Sequence, residues 1–208
     1  MKKIIALLLA LAMLLCLCAC SEEEKPNDEK EIIEVTPARG TVENGFYKNE
    51  AFGVSFEADP DWYFLTDAEI AQSMGVAAEK IYGEEIPADA DNIYDVYCVD
   101  METNTTVSIN YENLGTIGGF TSESQYLEMV VSQLLSAGED SGVAASELSV
   151  TEISGENYPC LNITIEFSGM EIYQRVIVKS VGTWMGTVTI ASLDEAEMDE
   201  LCAKISFE

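Results

Sequence analysis

The C-terminal third of the chain alternates apolar and polar residues over four consecutive strand-length segments, and this pattern most constrains the fold. The segments are Leu148 to Ser154, Tyr158 to Phe167, Met170 to Lys179 and Thr183 to Ala191. Each link between them is short and contains a glycine. Alternation with a period of two, interrupted by such links, is typical of strands joined by tight turns. We therefore expect a meander of four antiparallel strands.

Three other stretches have the spacing of amphipathic helices, and each begins with a capping box. The boxes are Thr66 with Glu69, Ser122 with Gln125, and Ser192 with Glu195. The apolar spacing predicts that the first helix continues to Gly83 and that the second ends at Gly138. The last helix is expected to include Ile205 and to close the domain.

The middle of the chain adds a further predicted hairpin. Tyr94, Val96 and Cys98 alternate with their neighbours, and Val107 to Tyr111 returns as the partner strand. About eight short strands interrupted by three helices favour an α+β fold, in which a single twisted antiparallel sheet has helices packed on its faces.

The opening hairpin of this predicted domain resembles a known family. Phe52, Val54 and Phe56 alternate as the inward face of a strand that Pro60 stops. This segment resembles the first hairpin of PsbP-like domains at seven positions: Tyr47, Asn49, Gly53, Val54, Phe56, Pro60 and Trp62. The resemblance implies an α/β/α sandwich over residues 42–208. It also implies a role as an accessory or assembly factor for membrane complexes.

The N-terminus has the layout of an export signal. Lys2 and Lys3 precede an unbroken apolar run, Ile4 to Leu17, whose 14 residues are fewer than the roughly 20 that a transmembrane helix needs. The sequence from Leu17 to Cys20 resembles the lipobox of bacterial lipoproteins. That resemblance implies a signal peptide at 1–19, a lipid on Cys20 that binds the membrane, and a location on the extracytoplasmic face of the cell membrane. The acidic, proline-containing residues 20–41 are expected to form a flexible tether.

Composition excludes several classes of function. The net charge is −28, which repels nucleic acid, so we expect no nucleic-acid partner. The chain has no histidine, which rules out Ser-His-Asp and Cys-His catalysis, and no phosphate-binding glycine motif is present. In a chain with 38 acidic residues, some pair of carboxylates will always look suitable for glycoside hydrolysis, so such a pair does not indicate an enzyme. We therefore predict that the protein is not an enzyme.

Cys98, Cys160 and Cys202 match no disulfide or metal pattern, and we expect them to be small buried hydrophobic residues.

One acidic loop is the densest cluster of hard oxygen ligands. It contains Glu84, Glu85, Asp89, Asp91, Asn92 and Asp95. Calcium needs six to eight oxygen ligands, but Ile93 interrupts the EF-hand order. Two interpretations stay open, a solvated loop and a calcium site centred on Asp89, Asp91 and Asp95. No other cofactor is predicted.

The aromatic cluster Trp62, Tyr63 and Phe64 also allows two interpretations. Trp62 and Tyr63 could line a groove for a peptide or sugar, or the cluster could cover the edge of the sheet. Asp59 and Asp61, which flank Pro60, are a second place where a cation could bind.

The predicted function is that of a non-enzymatic lipoprotein that binds a protein partner as an accessory or assembly factor. The alternative is a binding module for a small solute, a peptide or a divalent cation that serves a transporter. An exposed apolar patch would favour a partner interface. A pocket lined by Trp62 or by convergent acids would favour a ligand.

Overall fold

A computed structural model describes residues 35–83, 85–87, 89–137 and 142–208. In this part the chain forms eleven strands, three α-helices and two short 3₁₀ turns. The strands are β1 (Thr41–Glu43), β2 (Phe46–Asn49), β3 (Val54–Glu57), β4 (Trp62–Phe64), β5 (Asn92–Asp100), β6 (Thr106–Asn113), β7 (Val143–Ile153), β8 (Glu156–Phe167), β9 (Met170–Val181), β10 (Trp184–Ser192) and β11 (Ile205–Phe207). The helices are α1 (Asp67–Met74), α2 (Glu123–Ala137) and α3 (Glu197–Cys202), and the 3₁₀ turns are Ala78–Lys80 and Gly115–Ile117. None of the described helices is both long and apolar enough to cross a membrane.

The larger sheet contains seven antiparallel strands in the order β4-β5-β6-β10-β9-β8-β7. The meander β7 to β10 is present as the sequence predicted. Ser154 with Gly155 and Ser168 with Gly169 all have positive φ angles. Two consecutive positive φ angles are typical of the type I′ turn, whose twist matches that of a tight hairpin. The hairpin β5–β6 completes the sheet by pairing with β10.

A second, four-stranded antiparallel sheet in the order β1-β2-β3-β11 covers one face of the larger sheet. The predicted α+β fold with one sheet and helices on its faces is therefore wrong, because the described part of the chain is mostly β and has two sheets. The prediction failed because alternation along Phe52, Val54 and Phe56 shows that a strand exists but not which sheet it joins.

The end of the chain explains how the second sheet is completed. The predicted capping box of Ser192 and Glu195 does not form, because the Ser192 hydroxyl donates a hydrogen bond to Glu197 and the helix begins at that residue. Helix α3 stops at Cys202, and Ile205 to Phe207 form β11, which pairs with β3. The helical spacing of Ile205 relative to Leu201 was therefore misleading.

The two sheets enclose the main core. Tyr47 and Phe56 of the small sheet and Phe52 of the turn between β2 and β3 are fully buried against the large sheet. The Phe52 ring stacks on Tyr111 with ring centroids 3.7 Å apart. On the opposite face of the large sheet, α2 packs against β8 and β9 and α1 packs against β5. Cys98, Cys160 and Cys202 are free and buried, which confirms the expectation that they are core residues.

The first two helices begin where the sequence predicted. Both reciprocal bonds of the Thr66–Glu69 box are present, and Ser122 and Gln125 bond in the same way. However, α1 ends at Gly75, which has φ 63° and accordingly terminates the helix in the left-handed conformation. The predicted extension to Gly83 is wrong, since the apolar residues beyond Gly75 belong partly to a 3₁₀ turn.

Replacement of Phe207 tests the role of β11. The Phe207 ring is buried and packs edge-on against Tyr158, with centroids 4.7 Å apart. We expect Phe207→Ala to lower the free energy of unfolding by about 3–5 kcal/mol. Ser206→Ala, on the exposed face of the same strand, should change it by less than about 0.5 kcal/mol. Chemical denaturation of both variants measures this, and equal losses at the two positions would contradict the assigned strand.

Candidate functional site

Asp95 lies at a β-bulge in β5. The pairing of β5 with β6 shifts register between Tyr94 and Val96, so Asp95 is the extra residue. Strict alternation would place Asp95 on the same face as Tyr97. The bulge instead directs its carboxylate toward Tyr47 in the layer between the sheets, while Tyr94 and Tyr97 share the opposite face under α1.

The Asp95 carboxylate is 3% exposed and accepts hydrogen bonds from three residues of other segments. The Tyr47 hydroxyl donates to Oδ2 at 2.6 Å, Asn49 Nδ2 donates to Oδ2 at 2.7 Å, and the Gly40 N–H lies 2.9 Å from Oδ1. Arg39 Nε is 3.5 Å from Oδ1, which makes an ion pair. Burial raises the pKa of Asp95, although these donors and the Arg39 charge all favour the ionised form. The carboxylate is therefore a buried structural acceptor.

This placement separates the three residues of the predicted calcium site. Asp89 and Asp91 are exposed on the loop before β5, whereas Asp95 is enclosed by its own donors. Among the described residues, no group of three or more carboxylates or thiols is arranged to hold a metal ion. Glu84 lies outside the described residues, as does Cys20, the predicted site of lipid attachment.

The same contacts fix the residues just before β1. Arg39 donates from Nη2 to the Asp95 carbonyl at 2.7 Å and from Nη1 to Asp67 at 2.8 Å, and Asn49 donates to the Ala38 carbonyl at 2.8 Å. Residues 38–40, which the sequence assigned to the tether, are thus bonded to the folded domain.

Trp62 and Tyr63 point to opposite faces of β4, because side chains alternate along a strand. Trp62 is half-buried and packs edge-on against Phe56 at 5.7 Å between ring centroids. Tyr63 is 43% exposed, and its hydroxyl donates to Glu69 at 2.9 Å. The two aromatic residues predicted to bind a ligand therefore do not line one groove.

Trp62 lines a pocket of about 110 Å³, where the ends of β4 and β5 meet α3. The lining residues are Asp59, Trp62, Asp100, Thr105, Glu197, Glu200, Leu201 and Lys204. They include four carboxylates and one ammonium group. We call this the Trp62 pocket.

Hydrogen bonds hold two of the pocket carboxylates in place. Glu197 Oε2 accepts from the hydroxyls of Thr105 at 2.6 Å and Ser192 at 2.7 Å. Asp100 accepts from the Glu102 N–H at 2.7 Å and from the Thr103 hydroxyl at 2.8 Å. Partial burial of Asp100 acts to raise its pKa, but these hydrogen bonds outweigh it and the pKa is lowered. Asp100 is consequently an anion at neutral pH and not a proton donor.

The remaining charges leave the pocket negative. Lys204 forms an ion pair with Asp59, so one of the four carboxylates is neutralised by the only cation that lines the pocket. An indole beside several carboxylates suits an organic cation, because aromatic rings and carboxylates both attract positive charge. The volume is small beside the roughly 300–1,000 Å³ of drug-sized ligand pockets. It fits a single amino group better than a large solute.

Sequence reasoning singled out Asp59 and Trp62 in this pocket but missed the others. Asp100, Glu197, Glu200 and Lys204 are distant in sequence from Trp62 and belong to an unusually acidic chain. No local motif distinguishes them from the other acidic residues.

Comparisons with known proteins place few limits on this site. No family model matches the chain, and no curated protein matches it. The structure is similar to that of a Bacteroides thetaiotaomicron protein, with 11% identity and a TM-score of 0.41 over 82% of this chain and 48% of that protein, so the chain spans about half its length. It is also similar to LpqN, a protein involved in cell envelope biogenesis of Mycobacterium tuberculosis, with 13% identity and a TM-score of 0.35 over 71% of this chain and 75% of that protein. Likenesses this low support no argument about function, and the resemblance to PsbP-like domains gains no support from them.

Removal of the Asp95 carboxylate tests its structural role. Asp95→Ala removes the carboxylate that accepts from the buried Tyr47 hydroxyl and Asn49 amide, and it removes the ion-pair partner of Arg39. We expect it to lower the free energy of unfolding by about 3–5 kcal/mol. Asp89→Ala, on the exposed loop, should change stability by less than about 0.5 kcal/mol. Denaturant unfolding of the two variants measures both changes in the free energy of unfolding. An Asp95→Ala variant as stable as the wild-type protein would show that the carboxylate does not hold the sheets together.

Proposed function

We propose that this protein is a lipid-anchored, extracytoplasmic binding module without catalytic activity, and that its Trp62 pocket takes a cationic side chain of a protein partner. The main observation in favour is the combination of an indole with four carboxylates and a single lysine around one small pocket. The anchor is proposed from the lipobox-like sequence that ends at Cys20.

The chemistry of the pocket favours binding over catalysis by carboxylates. General acid catalysis needs a carboxyl whose pKa is raised toward neutral pH. The pKa of Asp100 is instead lowered, and Glu197 has an oxygen held by two hydroxyl donors. Such fixed anions are suited to pairing with a lysine or arginine side chain.

The net charge of −28 supports the same type of partner. A basic protein is attracted over a long range by such a surface, and its rate of association rises accordingly. The Trp62 pocket would then supply the short-range contact.

The second candidate function is to bind a free small amine and deliver it to a transporter. The pocket volume of about 110 Å³ favours a small amine over a larger solute. The two candidates differ in whether the amine must belong to a protein.

Substitutions in the Trp62 pocket test the proposed contact. A peptide with one lysine should bind at about 0.15 M salt, where long-range attraction is screened, and its norleucine analogue should not. Trp62→Ala should weaken binding about tenfold, because the cation–π contact is lost. Tyr63→Ala is the matched control, since this aromatic neighbour faces the other side of β4, and it should leave affinity unchanged. Chemical-shift perturbation by NMR measures the dissociation constants.

The outcome of the peptide experiment also depends on pH. Hydrogen bonds lower the pKa of Asp100, so its carboxylate keeps its charge to below about pH 4, the usual pKa of an aspartate. The contribution of Asp100 to ammonium binding should therefore be constant from neutral pH to about pH 5 and be lost as the pH falls below about 4. Binding that is equal with lysine and norleucine, or that survives Trp62→Ala unchanged, would contradict a cation site.

Crosslinking in the native membrane tests the anchored, partner-binding role. We expect a specific membrane-associated protein to be crosslinked to the wild-type chain, and to be lost in Cys20→Ala, which cannot be lipidated at this position. The anchor itself is checked by cell fractionation and fatty-acid labelling. We expect the Cys20→Ala protein to leave the membrane fraction and to carry no fatty-acid label. Recovery of no partner from an abundant, folded protein would favour the small-amine function.

A further inference from the structure

Strand β7 forms one edge of the seven-stranded sheet, and its outer side is exposed. It is 11 residues long and pairs with β8 along one side. Within the described part of the chain, no strand pairs with its other side. Most of its residues are exposed, so the free backbone edge is accessible along much of the strand.

The centre of β7 lacks the features that usually protect an edge strand. Natural edges are blunted by lysine, proline or bulges. In β7 the bulge lies at the start, between Val143 and Ala145, and the four residues from Leu148 to Thr151 contain no charge and no proline. Leu148 is 46% exposed and Val150 is 65% exposed. These two side chains are two residues apart and therefore share one face.

Two glutamates flank this uncharged centre. Glu147 and Glu152 are both exposed and lie five residues apart, so they point to opposite faces of the strand. A strand added to this edge would therefore meet an apolar centre with one negative charge near each end.

We propose that the outer edge of β7 binds an extended segment of a protein partner as an additional strand. The segment carries two basic residues five positions apart, separated by four uncharged residues that alternate apolar and polar. Backbone hydrogen bonds give the affinity in such strand addition, and cross-strand pairs give the specificity. This inference rests on the proposed function in assuming a protein partner, but it concerns a surface distinct from the Trp62 pocket.

Charge complementarity favours a basic partner over a second copy of this chain. Two copies would each have a net charge of −28 and would repel one another. A segment with two basic residues would instead place opposite charges beside Glu147 and Glu152, and opposite charges across a strand pair are stabilising.

A charge-exchange experiment with full-length protein in detergent micelles tests the proposal. The probe is the peptide Lys-Val-Thr-Val-Thr-Lys. It should bind and protect from hydrogen exchange those backbone amides of residues 146–152 that point away from β8. The double variant Glu147→Lys with Glu152→Lys should bind it about tenfold more weakly. The same variant should prefer the matching peptide Glu-Val-Thr-Val-Thr-Glu. Val150→Lys alone should also weaken binding of the lysine peptide.

Matched controls separate this edge from other causes. Glu43→Lys with Glu79→Lys gives the same change in net charge at exposed positions on elements that do not pack on β7, and it should keep the wild-type protection of β7 by the peptide. Because the lysines of the peptide could also enter the Trp62 pocket, the edge is assessed by amide protection in β7 and not by overall affinity. This protection should persist in Trp62→Ala, so failure of the pocket does not imply failure of the edge. Loss of the protection in the Glu43 and Glu79 variant, or in Trp62→Ala alone, would overturn the proposal. So would absence of peptide binding, or a dimer in sedimentation that Val150→Lys dissociates.

Discussion

The buried carboxylate of Asp95 is the interaction on which the arrangement of the two sheets depends. It belongs to the large sheet, yet its hydrogen-bond donors come from Tyr47 and Asn49 of the small sheet and from Gly40 before β1. A buried charge is costly unless it is paired and hydrogen-bonded. Only one relative position of these segments satisfies it, so the carboxylate selects that position. The bulge in β5 is what makes the contact possible.

The Trp62 pocket follows from the same two-sheet arrangement. Strand β11 pairs with β3, and the Lys204 carbonyl just before it accepts a hydrogen bond from the Glu57 N–H at 3.1 Å. These bonds hold the C-terminal end of α3 beside the turn that leads from β3 to β4. As a result, Glu197 and Glu200 of α3 face Trp62 and Asp100 of the large sheet. Had the chain ended in a longer helix, these carboxylates would have had no fixed place near Trp62.

Acidic charge has different meanings at different places in this protein. The overall charge of −28 affects solubility and long-range attraction without defining a site. In the two proposals made above, charge acts specifically where geometry restricts it. The first place is the open strand edge with Glu147 and Glu152, and the second is the set of carboxylates around Trp62. A partner with a basic extended segment and a projecting lysine is therefore compatible with both surfaces, although each can be tested without the other.

Some elements of this fold can be predicted from local signals in the amino-acid sequence. The meander β7 to β10 follows from alternation with glycine-containing links, and two helix starts follow from capping boxes, because backbone donors are satisfied within four residues. The absence of histidine likewise excluded whole classes of chemistry without any structure. Three further features come from long-range contacts: the division into two sheets, the inward direction of the Asp95 side chain, and the strand that begins at Ile205. Each of these depends on a partner far away in sequence, since β11 needs β3, Asp95 needs Tyr47, and Trp62 needs Glu197 to form a pocket. Periodicity reports which side of an element is apolar, but the identity of the surface that covers that side is fixed only when the chain folds.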